Sequence, residues 1–369
     1  MKIMTFVGTR PEIIKLSRTI CELDKNFNNI LVNTNQNFTY ELGEIFFKDL
    51  DIRKPNYNLK VDKLNSYKTI AKTIELCGEV IEKEKPKLII LLGDTNSCFA
   101  AISAKKLGIP IFHLEAGNRC YDENVPEEIN RRIIDHTSEI NLVYTEHARS
   151  NLIREGIHPQ TIIKSGSPMK EVINFYKDKI YKSKILEKLK IKNKKYIIIS
   201  IHRNENLNIE NNFEEIFNSL IYLSKKTEKI IFSTHPAILK KIKQKGKKKL
   251  FNKLVTSIKP LCFTDYIKLQ KDCDFIISDS GTLMEETAIL GSNAIMIRKS
   301  HERPEGMDTG TLIVSGLKFS NINKAIQLLK KNYHSNKIPE DYDVDDFSKK
   351  IVKIILSYFG YIQFFSKKN

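Results

Sequence analysis

Residues that could move protons or hold an anion recur in this chain directly after short apolar runs. The first group is Gly8-Thr9-Arg10-Pro11-Glu12, following KIMTFV. Gly8 permits a tight turn and Pro11 suits the first helical position. Free N–H groups at such a helix start, together with Arg10, make an anion site, and Lys15 lies one turn further on. The pattern is neither a GxGxxG fingerprint nor a Walker A loop. Asp94 follows IILLG, where it is either a positioned base or a plain helix cap. The stretch 113–132, with HLEAGNR and VPEEINRR, concentrates carboxylates and arginines. Glu115 and Glu127 are its candidate catalytic carboxylates. Glu127 and Arg131 are four residues apart and could instead form a helical ion pair. Two carboxylates reaching one site from separate loops suit acid–base work at a carbon.

The second half repeats the arrangement. His202 follows IIISI and is either a structural histidine or a donor to a phosphate oxygen. Asp279-Ser280-Gly281-Thr282 opens a further helix, whose N–H groups and hydroxyls suit a phosphate. Glu285 and Glu286 follow, and a carboxylate at that distance can reach ribose hydroxyls. Ordinary caps and solvated turns would leave the same residues in the same places.

These loops need a frame that holds them. Continuous apolar runs, the pattern of strands buried on both faces, fall at 2–7, 29–32, 87–92, 109–112, 140–144 and 161–164. A second set falls at 196–200, 229–233, 254–258, 274–278, 293–297 and 311–314. Helical stretches lie between them, so the reading is α/β, with two doubly wound Rossmann-like domains facing a central cleft. The expected divisions are 1–168, 169–340 and a C-terminal helical segment, 341–369, returning to the first domain.

The net charge is 61 − 44 = +17. Its densest run, KKIKQKGKKKL, has no interleaved aromatics, and the other lysines sit at the spacing of solvated helix faces. The excess is therefore read first as a lysine-rich composition spread over solvated helix faces, with attraction of a polyanionic ligand such as a nucleotide second and a nucleic-acid surface last. Six scattered cysteines without a CxxC pair argue against a zinc ribbon or a disulfide framework, and no metal or cofactor is expected. No apolar run reaches the length of a membrane span. The apolar stretch before Arg10 is too short for a signal peptide, so a cytoplasmic protein is expected.

Taken in order, GTRPEIIK, GDTNS, HLEAGNR, VPEEINR, IHRNEN, DSGTLMEE and HERPEG resemble the non-hydrolysing UDP-N-acetylglucosamine 2-epimerase family over nearly the whole chain. The resemblance implies the two-domain GT-B arrangement, a homodimer, a UDP-sugar substrate and no redox cofactor. It implies catalytic roles for Asp94, Glu115, Glu127 and His202. It also implies substrate contacts from Arg10, Lys15, Arg131, Ser280, Gly281, Thr282 and Glu286, with Tyr266 beside uracil. Asn118-Arg119-Cys120, Gly166-Ser167-Pro168-Met169 and Gly306-Met307-Asp308 depart from the common form. With GTRPEIIKLSR and YELGEIFF they resemble the UDP-N-acetyl-L-fucosamine synthase subgroup. That subgroup epimerises UDP-2-acetamido-2,6-dideoxy-L-talose at C2 for capsule or O-antigen synthesis. Asn118-Arg119-Cys120 and Gly306-Met307-Asp308 are then expected to line the sugar. A UDP-GlcNAc/UDP-ManNAc 2-epimerase is the alternative, with a GT-B glycosyltransferase further off.

Overall fold

Short strands that are apolar on both faces are stable only when helices cover both sides of their sheet. The computed structural model, which describes residues 1–35, 43–61, 65–201, 210–234, 236–331 and 337–365, meets that requirement twice. One compact unit comprises Met1–Phe175 with Glu340–Asn369, and the other Tyr176–Pro339. Each is a Rossmann-like domain.

The first sheet contains β1 (Lys2–Val7), β2 (Asn28–Asn33), β3 (Tyr57–Asn58), β4 (Leu88–Leu92), β5 (Ile111–Ala116), β6 (Ile140–Val143) and β7 (Ile162–Lys164). Their order is β3-β2-β1-β4-β5-β6-β7, and every pairing is parallel. The order reverses between β1 and β4, so the loops carrying Arg10 and Asp94 leave neighbouring strands. That is the switch point where ligands bind in open α/β sheets. Ile89, Leu91, Met4 and Phe6 enter one core with Cys77, Ile81 and Phe99.

Two features of this sheet differ from the sequence reading. β3 has only two residues, too few for a periodic signal. β5 does not end at Phe112 but runs on to Ala116, so Glu115 lies within the strand. Its register against β6 shifts between Leu114 and Ala116, which makes Glu115 the bulge residue, with φ +64°. A bulge bends its strand and re-aims a side chain.

The second sheet contains β8 (Ile197–Ile201), β9 (Ile230–Thr234), β10 (Thr256–Ile258), β11 (Ile276–Ser278), β12 (Ala294–Met296) and β13 (Ile313–Val314). Their order is β10-β9-β8-β11-β12-β13, again all parallel. The reversal falls between β8 and β11, so the loop beginning at Asp279 leaves the switch-point strand. A core of Ile197, Ile199, Phe217, Phe232, Phe251 and Ile277 lies under its helices.

The change of unit comes after the helix Met169–Phe175, because that helix packs on Arg10–Asn26. The Arg18 guanidinium sits 3.4 Å from the centre of the Phe175 ring. The helix Phe347–Phe365 lies along the same helix. It is tied by Ser348 N to Glu171 (2.9 Å) and by Lys350 Nζ to the Ser165 carbonyl (3.1 Å). No helix among the described residues is long and apolar enough to cross a membrane.

Candidate active site

The loop after β1 runs into the helix Arg10–Asn26, which starts at Arg10, so Pro11 takes the second helical position rather than the first. Glu12, 1% exposed, turns back and accepts from the Gly8 and Thr9 amides, the second at 3.0 Å. Two N–H groups expected to serve an anion are thus already used by this chain's own carboxylate. Arg10 is half-buried and makes no hydrogen bond or ion pair among the described residues, so it remains available to an anion. Glu12 also accepts from the Thr95 and Ser97 hydroxyls, the latter at 2.7 Å. It therefore joins the Arg10 loop to the Asp94 loop.

Lys15 is buried at 2% exposure, with its ammonium 2.8 Å from Glu115 Oε2 and 5.4 Å from the centre of the Tyr144 ring. A Cβ added to Gly93 would lie 3.9 Å from that same Glu115 oxygen, so the Glu115 carboxylate lies over the start of the Asp94 loop. Asp94 is not a helix cap: Thr95 takes the N-cap of the short 3₁₀ turn Asn96–Phe99. Asp94 Oδ2 instead receives Arg131 Nε at 2.6 Å, and its carbonyl receives Asn130 Nδ2 at 2.7 Å.

Arg131 does not pair with Glu127, as their spacing suggested. Its Nη1 donates to Glu128 Oε2 at 3.0 Å. Glu128 is fully buried and needs a cation, whereas half-buried Glu127 keeps access to water. Burial raises the Glu128 carboxyl, but bonds from the Cys120 amide and thiol and from Arg131 outweigh it and hold it below its ordinary value. Glu127 makes no hydrogen bond or ion pair among the described residues, which leaves it available for a ligand. The first unit thus brings together Lys15, Asp94, Glu115 and Arg131.

In the second unit the helix Leu283–Leu290 begins just after Ser280, Gly281 and Thr282. The Gly281 and Thr282 amides take no acceptor among the described residues, as an anion site requires. A Cβ at Gly281 would come within 2.8 Å of Glu302 Oε1, so a larger residue there would have to push that carboxylate aside. Arg303 Nε holds the Gly281 carbonyl at 3.0 Å and pairs with Glu285 at 2.7 Å. Ser280 and Thr282 share a hydroxyl contact of 3.2 Å. Glu286 accepts from Thr282 Oγ1 at 2.8 Å and from Gln270 Nε2 at 2.6 Å. Tyr266 stands half-buried on the helix Phe263–Asp272, which also carries Gln270. His202 lies outside the described residues.

The UDP-N-acetylglucosamine 2-epimerase family pattern matches residues 20–356. The chain belongs to that family. A solved UDP-N-acetylglucosamine 2-epimerase from Rickettsia bellii is 48% identical, with a TM-score of 0.91 and 98% of each chain covered. The Methanocaldococcus jannaschii enzyme, solved with UDP-GlcNAc and UDP, is 32% identical, with a TM-score of 0.90, covering 97% of this chain and 100% of its own. A UDP-N-acetylglucosamine 2-epimerase from Methanococcus maripaludis is 37% identical over 350 residues, covering 91% of this chain and 93% of its own. As a member of the family the protein is an isomerase, a UDP-sugar 2-epimerase.

Sequence reasoning on this epimerase gave no separate role to Glu12, Glu128 or Asp135. The signal for Glu128 and Asp135 was present: with Arg131 they fall at i, i+3 and i+7, one face of the helix Pro126–Thr137. Arg119, expected to line the sugar, does not. Its side chain is fully buried and is committed to Asp135 at 2.7 Å and Glu155 at 2.6 Å. Cys120 stays half-exposed beside Glu128, its sulfur 3.3 Å from the carboxylate.

Proposed function

We propose that the protein converts UDP-2-acetamido-2,6-dideoxy-L-talose to UDP-N-acetyl-L-fucosamine by inverting C2. The observation that carries the C2 chemistry is the pair of carboxylates, Asp94 and Glu115, after and within adjacent strands β4 and β5, each ion-paired to its own cation. The identity of the sugar rests on Cys120, Gly166-Ser167-Pro168-Met169 and Gly306-Met307-Asp308, where the chain departs from the common form of the family.

The C2–H of the substrate is not acidic by itself, because C2 bears an acetamido nitrogen rather than a carbonyl. Stretching the C1–O bond to UDP builds positive charge at C1 and acidifies the neighbouring hydrogen. Arg10, His202 and the amides after β11 receive the departing diphosphate, and such preorganised donors act where charge develops. Tyr266 stacks on uracil and Glu286 holds the ribose. A carboxylate among Asp94, Glu115 and Glu127 takes the C2 proton. The C–H electrons form the C1–C2 double bond of a 2-acetamidoglycal, and UDP leaves with the C1–O pair. A proton delivered to the opposite face of C2, with return of UDP to C1, gives the epimer. Lys15 and Arg131 orient the carboxylates. We further place the enzyme in the cytoplasm as a homodimer serving surface-polysaccharide synthesis. The six free cysteines suit a reducing compartment.

The relatives' names favour a second reading, interconversion of UDP-GlcNAc with its C2 epimer. Incubation of each sugar nucleotide in heavy water, with C2 followed by NMR, tests both. The glycal route puts solvent deuterium at C2 of the product, and retention of the original hydrogen would exclude it. A methyl at C6 packed against Cys120 or Met307 leaves no partner for a C6 hydroxyl. An unpaired buried hydroxyl costs about 1–3 kcal/mol, so kcat/KM should favour the 6-deoxy-L-sugar by about 5- to 150-fold. Equal or better turnover of UDP-GlcNAc would transfer the protein to the second reading.

A further inference from the structure

We infer that Asp135, with His113, is a positioning device that sets the catalytic geometry of Glu115 and Asp94 through the backbone. The inference rests on the epimerase reading. Glu115 occupies an unfavourable place for a side-chain-bearing residue, a left-handed φ of +64° at a strand bulge. Such a conformation persists only where the surroundings over-determine it, and it clusters at functional sites. The residues on either side of the bulge converge on one buried carboxylate.

Asp135 is 1% exposed and lies on the helix Pro126–Thr137. Its Oδ1 lies 2.8 Å from His113 Nδ1, two residues before Glu115. Its two oxygens lie 3.3 and 3.2 Å from the amide of Gly117, two residues after Glu115. Arg119 NH1 completes the shell at 2.7 Å. The bulge is therefore clamped on both sides by one side chain. Gly117 has φ +79°, and an added Cβ would come within 2.4 Å of the Ala148 carbonyl oxygen on the helix Glu146–Arg154, so only glycine allows this close approach.

His113 extends the clamp to the second carboxylate. Its Nε2 lies 3.0 Å from the carbonyl of Gly93, the residue before Asp94. The same histidine thus contacts the loop that presents Asp94 and the strand that presents Glu115. Asp135 and His113 are each about 1% exposed, and, Arg119 apart, their side-chain hydrogen bonds go to backbone around Asp94 and Glu115 and to each other. They act through backbone, as positioning residues, and a displacement of about 1 Å at a reacting group can cost on the order of 10²-fold in rate.

The test uses the full-length protein and three readouts: kcat, KM and UDP affinity by calorimetry. In Asp135→Asn the shape is kept, but only one oxygen remains to serve three donors. In His113→Asn the side-chain amide still reaches Asp135 but no longer Gly93. Each variant is expected to lose about tenfold or more in kcat, with KM and UDP affinity within about threefold of the parent. His113→Gln, which can restore a donor to Gly93, is expected to recover part of the loss seen in His113→Asn. If Asp135→Asn does not fold, the two histidine variants decide alone. A kcat within about threefold of the parent in His113→Asn, or equal losses in kcat and UDP affinity, would overturn the inference. Absence of C2 exchange in the unmodified protein would instead overturn the epimerase reading on which it rests.

Discussion

Replacing Glu115 by glutamine is expected to lower kcat by at least about 10²-fold, the usual worth of a positioned acid or base, or roughly 2.7 kcal/mol in the barrier. The substitution keeps the shape at the bulge but removes the negative charge opposite Lys15, whose ammonium stands 2.8 Å away and is almost fully buried. Asp94→Asn is expected to have a similar effect, because it removes the charge that holds Arg131 Nε at 2.6 Å. Both residues belong to the first unit, while Ser280, Gly281 and Glu286 belong to the second. UDP affinity should therefore stay within about threefold of the parent in either variant. Steady-state kinetics with calorimetric titration of UDP separates the two effects, since a group used only in the transition state lowers kcat without weakening ground-state binding. Rates within about threefold of the parent in both variants would reduce these carboxylates to structural ion pairs.

The strands that present the site were legible because burial on both faces writes them as unbroken apolar runs. KIMTFV is the clearest: the run 2–7 and β1 coincide residue for residue. Strand ends were less legible where polar residues intrude. IFHLEA breaks the apolar run at His113 and Glu115, yet remains paired with its neighbours because the bulge absorbs the mismatch. The positions of Asp94, Glu115 and Arg131 could be guessed from loops following apolar runs, but their partners could not. Spacing along one helix suggested Glu127 for Arg131. The actual partners come from the loop after β4, 37 residues away in sequence, and from the buried Glu128. Glu12 was equally hidden. As the acid in the first turn of a helix it has an ordinary local explanation, and only the fold brings Thr95 and Ser97 to its other oxygen.

That burial of Glu12 carries a consequence for stability. Desolvation pushes its carboxyl from 4.5 up to about 7, against the opposing pull of bonds from Thr95, Ser97, Gly8 and Thr9. The folded state therefore favours the protonated acid more than the unfolded chain does. The associated stabilisation is fully present below about pH 4.5 and is lost as pH rises through about 7. A difference of this size corresponds to roughly 3 kcal/mol between the two limits. Glutamine has no such titration and can satisfy the same shell. Its carbonyl accepts from the Gly8 and Thr9 amides, while its NH₂ donates to the Thr95 and Ser97 oxygens once those hydroxyls rotate. In Glu12→Gln the unfolding free energy should therefore gain on the parent by up to roughly 3 kcal/mol between about pH 4.5 and pH 8. Comparing the two proteins cancels the carboxylates titrating elsewhere, such as Asp135 and Glu155, whose values are lowered and whose contributions rise with pH in both. Urea unfolding followed by circular dichroism across that range measures the difference. Parallel curves for the two proteins would mean that Glu12 is ionised throughout, with its four donors outweighing the cost of burial.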